Sequence, residues 1–502
     1  MLLSRNLDLL EAPPVVPAPP PPLQKQGVIT SREVLSFVRQ ALIWILCLKG
    51  LLLILDPTMR LFMGDSATYF VSAVEHTTPP DRSFTYPMLI RLTAVVTGSI
   101  TTLLLMQSLF GALTAAIVAG LLRFGWGVRP SIALIAAIVV TLDPSQLFYE
   151  RMIMTESASS LALWASVALA VVHFRSGSWL ALGACIVCGV ALSSLRVGLV
   201  PVAFGLPVLA VILRVPARQA DLVRWLGALA LAMLATAASH QLYKRWYAQR
   251  YGGDPAYIHD AGLFRLGLVA PLIKPDYFEG TGVDPAILAE VRVPLQDPLN
   301  REMQIWNPGG LIPILRQHAG ERANLVAAML AARAMSDQPV AMLRMGLLTQ
   351  GGFFDHNVSE SRLLSDIGAG QPPDARTLAM MRSVLHYDAA GVDHMRSFVM
   401  GYYAATSPWL VLCLLLLAPL SLVVAWRCRH RHGRLSLFLA VVGLGFVIGQ
   451  VLCSHIISFR YLHPLSTLTI FSLAILVDSL RLPYGRTAAK LVDAPPHPVL
   501  TA

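Results

Sequence analysis

The sequence predicts an α-helical polytopic membrane protein with about ten transmembrane helices and a mixed, mainly helical extracytoplasmic domain. Three observations predict it. Of 502 residues, 55% are hydrophobic and 14% charged, against roughly 45–50% and 25% in soluble domains. The mean hydropathy is +0.61. The apolar residues collect in runs near the length of about 20 that a helix needs to cross a hydrocarbon core of about 30 Å with its own backbone satisfied.

Taken in order, residues 1–36 form a proline-rich cytoplasmic tail, EAPPVVPAPPPP over 11–22. It samples polyproline II as a linker, or serves as ligand for a proline-reading domain. The first run, 37–55, is followed by no small-residue cleavage site and acts as a signal anchor. Lys49 inside it costs about 3 kcal/mol if central, so it snorkels or faces protein. The N-terminal transmembrane module, 37–242, continues with 99–122, 131–148, 157–174, 179–195, 197–214 and 224–242. Residues 243–405 are long, mixed in polarity and rich in Pro and Gly, which predicts a separately folded extracytoplasmic domain. Residues 406–482 return to the membrane at 407–426, 435–457 and 464–481, and 483–502 are a second cytoplasmic tail. The apolar part of 131–148 stops at Leu142, and the pair around Arg196 breaks in more than one way, which leaves the count open by about two.

Orientation follows from the short loops. With the N-terminus cytoplasmic, the inner loops hold Arg123, Arg129, Arg175, Arg214, Arg218 and Arg224, then RCRHRHGR with Arg427, Arg429, Arg431 and Arg434. That satisfies the positive-inside rule. Much of the net charge of +10 is therefore topogenic. Charges spread over loops form no single stripe, which excludes nucleic acid as partner. The six cysteines lie in apolar runs or, for Cys428, in an inner loop; buried small hydrophobe is their expected role, and Cys185-x-x-Cys188 lacks the soluble context of a redox motif.

Sorted by side, the outer segments collect the chemistry. Residues 64–87, GDSATYFVSAVEHTTPPDRSFTYP, bring Asp65, Arg82 and Tyr86, with Arg91 following; the next outer loop brings Asp143, Tyr149, Glu150, Arg151 and Glu156. Arg196, Arg460, Tyr461 and His463 complete the set. Arginines outside run against the sorting rule, so they imply an anion at the membrane surface. Their planar forks suit phosphate oxygens, which a polyprenyl phosphate presents at that depth.

GDSATYF, DRSFTYPMLIRL, LLLMQSLFGALTAAIVAGLLRF and LDPSQLFYERMIMTES, in that order, resemble the N-terminal half of the GT-C glycosyltransferases. The nearest branch is the bacterial one related to lipopolysaccharide galacturonosyltransferases and protein mannosyltransferases. The resemblance covers about 37–215 and the FRYLHP segment, and leaves 243–405 unmatched. It implies a lipid-phosphate sugar donor, a lipid, glycan or protein acceptor, and an integral inner-membrane enzyme that inverts the anomeric carbon. It places the family's acid on Asp65 as general base, with Glu150 and Glu156 as further catalytic candidates. Arg82, Tyr86, Arg151, Arg196, Arg460, Tyr461 and His463 are the substrate-binding candidates. Many relatives carry a second acid directly after the first, where this chain has Ser66, so no cofactor is certain and a divalent metal remains open.

Other roles compete. Asp65 in GDS suits a helix cap. Arg82 and Arg460 suit structural pairing with acids, Glu156 suits a neighbouring arginine, and Tyr86 and Tyr149 suit interfacial anchoring. A lipid or sugar transporter or flippase is the rival class, as is a non-catalytic assembly subunit.

Overall fold

The computed structural model describes residues 31–480 apart from 217, 370–372, 393–394 and 455. The proline-rich stretch at 11–22 and the C-terminal tail lie outside the described residues. Among those described the chain is helical, with no strand and one isolated bridge, Arg60 to Met152.

The first half comprises α1 (Ser31–Leu55), α2 (Met63–Glu75), α3 (Thr85–Ile90), α4 (Ile100–Gly120), α5 (Pro130–Thr141), α6 (Pro144–Tyr149), α7 (Glu156–Ser176), α8 (Trp179–Leu195), α9 (Val200–Ile212) and α10 (Leu222–Tyr251). Next come α11 (Ala261–Val269), α12 (Arg301–Trp306), α13 (Leu311–Ala319) and α14 (Ala323–Asp337). The chain ends with α15 (Pro339–Gly351), α16 (His356–Leu364), α17 (Ala375–Leu385), α18 (Phe398–Thr406), α19 (Pro408–Arg427), α20 (Arg429–Cys453) and α21 (His463–Leu480).

Among the described residues seven helices are long and apolar enough to cross a membrane: α1, α4 extended to Gly125, α7, α10, α19, α20 and α21. The other three expected spans fall on α5, α8 and α9, which have 12, 17 and 13 residues. The segment 131–148 is two helices. Asp143 caps α6 by accepting from the Gln146 amide at 2.9 Å, and Pro144 opens that helix, so the polar break after Leu142 is a real turn. The outward faces of α1 (Ile43, Trp44, Leu51, Ile54) and α10 (Leu226, Leu231, Leu234, Leu242) are exposed and apolar. Surface of that extent calls for lipid as its solvent.

Inside, small residues let the helices approach. Ala112, Ala115, Ala116 and Ala119 of α4 are buried, and a Cβ on Gly111 would collide with the Glu150 carboxylate. At one end of the bundle, Arg129 Nε donates to Asp478 Oδ1 at 2.8 Å, Arg434 Nη1 to the Val215 carbonyl at 2.7 Å, and Arg175 to the Gly125 carbonyl. The arginines expected in the inner loops thus meet at a common end. The other end carries α2, α3 and the segment after α10.

The stretch expected as one separate domain has two parts. Leu263, Leu266, Leu315, Val326 and Leu330 belong to a small core of their own, formed by α11 to α14. Phe353, Met381, Leu385, Val399 and Tyr403 instead belong to the main core of the bundle. The small core is fastened down by Arg301, buried on α12, whose guanidinium donates to Leu268 O (2.9 Å), Thr349 Oγ1 (2.6 Å) and Ser454 O (2.8 Å). Gly346 of α15 rests against the Val451 carbonyl of α20, where a Cβ would not fit.

Candidate functional site

Between the end of the bundle and the small core lies a cleft of ≈ 330 Å³. Its floor is the start of α2. Phe62 precedes that helix, and its amide is taken by Ser66 Oγ at 2.7 Å, while Ser66 Oγ donates to Ile153 O at 3.0 Å. Ser66 is thus committed to structure, while the start of α2 carries no side-chain cap, so Asp65 does not cap it. Asp65, in the first turn, is left to face the cleft.

Its carboxylate is gripped from two sides. Arg82 donates to Oδ1, and Arg460 Nη1 donates to Oδ2 at 2.5 Å. Together these cations outweigh burial and hold the Asp65 carboxyl down at about 2. Arg82 also pairs with Asp81 at 3.1 Å. Arg460 lies 5.4 Å from the Phe62 ring and 5.1 Å from that of Tyr461, which confines its fork. Behind it, Arg196 Nη2 donates to the Arg460 carbonyl at 3.0 Å and stacks 5.3 Å over Tyr461. Glu156 Oε1 stands 3.8 Å from both Arg196 Nη1 and Arg460 Nε, an ion-pair distance too long for a hydrogen bond. Asp65, Glu156, Arg82, Arg196, Arg460 and Tyr461 thus form one cluster.

Four candidates sit elsewhere. Glu150 is buried among α1, α4 and α6, where Lys49 Nζ donates to its two oxygens at 2.6 and 2.8 Å and Gln146 Nε2 at 2.8 Å. Arg151 is buried with its guanidinium on the carbonyls of Leu52 (2.8 Å), Asp56 (2.9 Å) and Leu147 (3.1 Å), closing the open end of α1. Tyr86 is buried and donates to Gln107 Oε1 at 2.6 Å. His463, also buried, meets Gln146 Oε1 through Nε2 at 2.9 Å. These four candidates therefore lie inside the bundle, away from the cleft lining, each with at least one polar atom hydrogen-bonded within the packing; His463 Nδ1 is buried without a partner among the described residues. Tyr149 is fully buried and meets Tyr403 OH at 3.3 Å, so it is no interfacial anchor. Arg91 Nε donates to Ala73 O at 2.9 Å, closing the end of α2.

Sequence reasoning missed the opposite wall. Phe264 of α11 and Trp306 of α12 stand edge to face with ring centroids 5.8 Å apart, beside Glu302, which accepts from Arg362 at 2.6 Å. It also missed Asp366, buried beneath the cleft, which accepts from the Phe459 amide at 2.8 Å and from Ser458 Oγ at 3.1 Å. Burial pushes its carboxyl up to about 7. No local pattern marks these residues; their partners come from distant segments.

Among the described residues no group of three or more His, Cys, Asp or Glu is placed to hold a metal ion. The arrangement offers two guanidinium forks, three carboxylates and an aromatic wall around a half-open cleft; the forks, once released from Asp65, suit an anionic group, and the rings suit a ring or chain attached to it. In comparisons with known proteins, the chain matches no family model, no curated protein and no solved structure.

Proposed function

We propose that the chain is an inverting glycosyltransferase of GT-C type, moving a sugar from a polyprenyl-phosphate donor to an acceptor at the outer face of the membrane. The observation that carries this reading is the meeting of Asp65 with Arg82 and Arg460, 17 and 395 residues away, in one cleft. A phosphate leaving group needs no acid where cations neutralise it. The acceptor oxygen bonds to the anomeric carbon as the bond from that carbon to phosphate breaks. The electron pair leaves with the phosphate, and the hydroxyl proton passes to Asp65. A single displacement of this kind inverts the centre. The phosphate sits against Arg82 and Arg460, with the sugar beside Trp306. The outer placement is supported by the arginines gathered at the opposite end of the bundle, which positive-inside sorting would keep in the cytoplasm.

Washed membranes containing the chain, incubated with a panel of radiolabelled polyprenyl-phosphate sugars, are expected to transfer label from one of them. Arg82→Ala or Arg460→Ala should cost about 2–5 kcal/mol in kcat/KM, and Asp65→Asn about 10²- to 10⁴-fold in rate, with normal amounts of protein present. No transfer from any donor by well-inserted protein would end the proposal.

The rival, a lipid or sugar transporter or flippase, is favoured by one observation: the buried polar chain Lys49, Glu150, Gln146 and His463 inside the bundle. Sealed vesicles from the same membranes would then accumulate unreacted donor.

A further inference from the structure

Asp65 poses a problem that its geometry resolves. A carboxylate with each oxygen on a separate guanidinium is a weak proton acceptor, and the same two guanidiniums are the ones available to a phosphate. Each guanidinium also has a buried N–H without a hydrogen bond, that of Arg460 lying 3.8 Å from Glu156 Oε1. Arg82 Nε and Arg460 Nε have no hydrogen-bond partner among the described residues, and neither has Arg196 Nη1. With the clamp closed, the cleft shows three carboxylates, Asp65, Asp81 and Glu302, against two guanidiniums, so it does not attract anions by net charge. An anion enters by exchange.

We propose that Arg82 and Arg460 are handed from Asp65 to the phosphate of an incoming lipid phosphate ester, so that binding of the anion is what uncovers the carboxylate. The role of the uncovered carboxylate as base rests on the glycosyl-transfer reading; the exchange itself does not. Two planar forks suit the tetrahedral oxygens of a phosphate better than the two oxygens of one carboxylate. The exchange also orders the reaction, since the acceptor finds a base only when a donor is in place. Product phosphate leaves when Asp65 takes the arginines back.

The groups facing Asp65 are Arg82, Arg460 and Tyr69, with Glu156 and Arg196 behind Arg460, Asp81 beside Arg82, and Glu302, paired with Arg362, elsewhere in the cleft lining. Asp366 lies under residues 458 and 459 and, pushed up to about 7, titrates in the working range. Asp366→Asn is therefore the common background for the test.

The full chain in detergent is titrated calorimetrically with farnesyl methyl phosphate, a diester carrying one charge at every working pH, and with dimethyl phosphate as headgroup alone. Replacing Asp65 by Asn should tighten the farnesyl diester at least about tenfold at pH 7.5, and adding Arg460→Ala should abolish that gain. A parallel gain for dimethyl phosphate, at weaker affinity, assigns the exchange to the headgroup. A gain confined to the farnesyl probe would overturn it in favour of altered lipid packing. In the Asp366→Asn background alone, affinity should rise as the pH falls from 7.5 to 4.5, with proton uptake on binding, because Asp65 stays ionised while clamped, held at about 2, and takes a proton in this range only once the bound phosphate has drawn the arginines away. This second measurement stands even if Asp65→Asn fails to accumulate. Equal or weaker binding by folded Asp65→Asn, or a flat pH profile, would overturn the hand-over. Tighter binding by Asp65→Asn, where the wild-type protein transfers no sugar from any donor, would keep the exchange and remove the glycosyltransferase reading.

Discussion

At the scale of single residues the cleft depends on which partner each carboxylate finds. Asp65, half-buried against the Arg460 side chain, is held at about 2, whereas Asp366, buried on the backbone of 458–459, is pushed up to about 7. Two guanidiniums reach the first. The second meets an amide and a hydroxyl, which do not offset its loss of water. The raised group carries a sign that can be tested. Between the unfolded value near 4 and the folded value, the native protein keeps a proton that the unfolded chain has released, so stability falls as pH rises through that window. Asp366→Asn cannot ionise. Its advantage over wild type in thermal melting should grow from pH 5 to pH 8, towards roughly 4 kcal/mol. A constant difference across that range would show that Asp366 is ionised throughout.

At the scale of elements, the bundle is registered by buried polar contacts rather than by apolar pattern alone. Lys49 of α1 reaches Glu150 and also the Thr141 carbonyl at 3.3 Å, so it binds the end of α6 to the open end of α5. Gly111 of α4 leaves the room that the Glu150 carboxylate fills. Removing one partner strands a charge in the bundle, and Lys49→Met or Glu150→Gln alone should cost about 3–5 kcal/mol. The double variant should recover most of that loss, as read by melting in detergent. Donor transfer should follow stability in all three. Loss of activity in a well-folded double variant would show that the pair works beyond structure and would strengthen the transporter reading.

At the scale of the whole molecule, the basic loops and the cleft lie at opposite ends of the bundle. One end gathers Arg129, Arg175, Arg431 and Arg434 around Asp478 and helix carbonyls. The other carries the cleft and the small core above it. If positive-inside sorting sets the orientation, a cysteine replacing exposed Ala286 in a cysteine-free background should react with an impermeant thiol reagent in intact cells. One replacing exposed Gln219 should react only after lysis. The reverse pattern would turn the molecule over and place the cleft in the cytoplasm.

The membrane class, the long helices and the polar nature of residues 64–87 were legible in the sequence, because burial in lipid demands apolar runs whatever the tertiary arrangement. Asp65, Glu156, Arg82, Arg196 and Arg460 were legible too, since a charged residue next to such runs is costly and stands out, and Tyr461 was legible as the neighbour of Arg460. What the same signal does not tell is where the charge is spent. Glu150, Arg151 and His463 carry the same marks, and the fold turns them inward to Lys49, to helix carbonyls and to Gln146. Trp306 and Asp366 carried no mark at all. Their place at the cleft comes from Arg301 fastening the small core to Ser454 and from the chain at 458–459 passing over Asp366. Composition and spacing act along the chain and decide the solvent of each segment. The pairing of one carboxylate with two arginines, 17 and 395 residues away, is decided only where helices meet, because at hydrogen-bond range the choice of partner depends on packing.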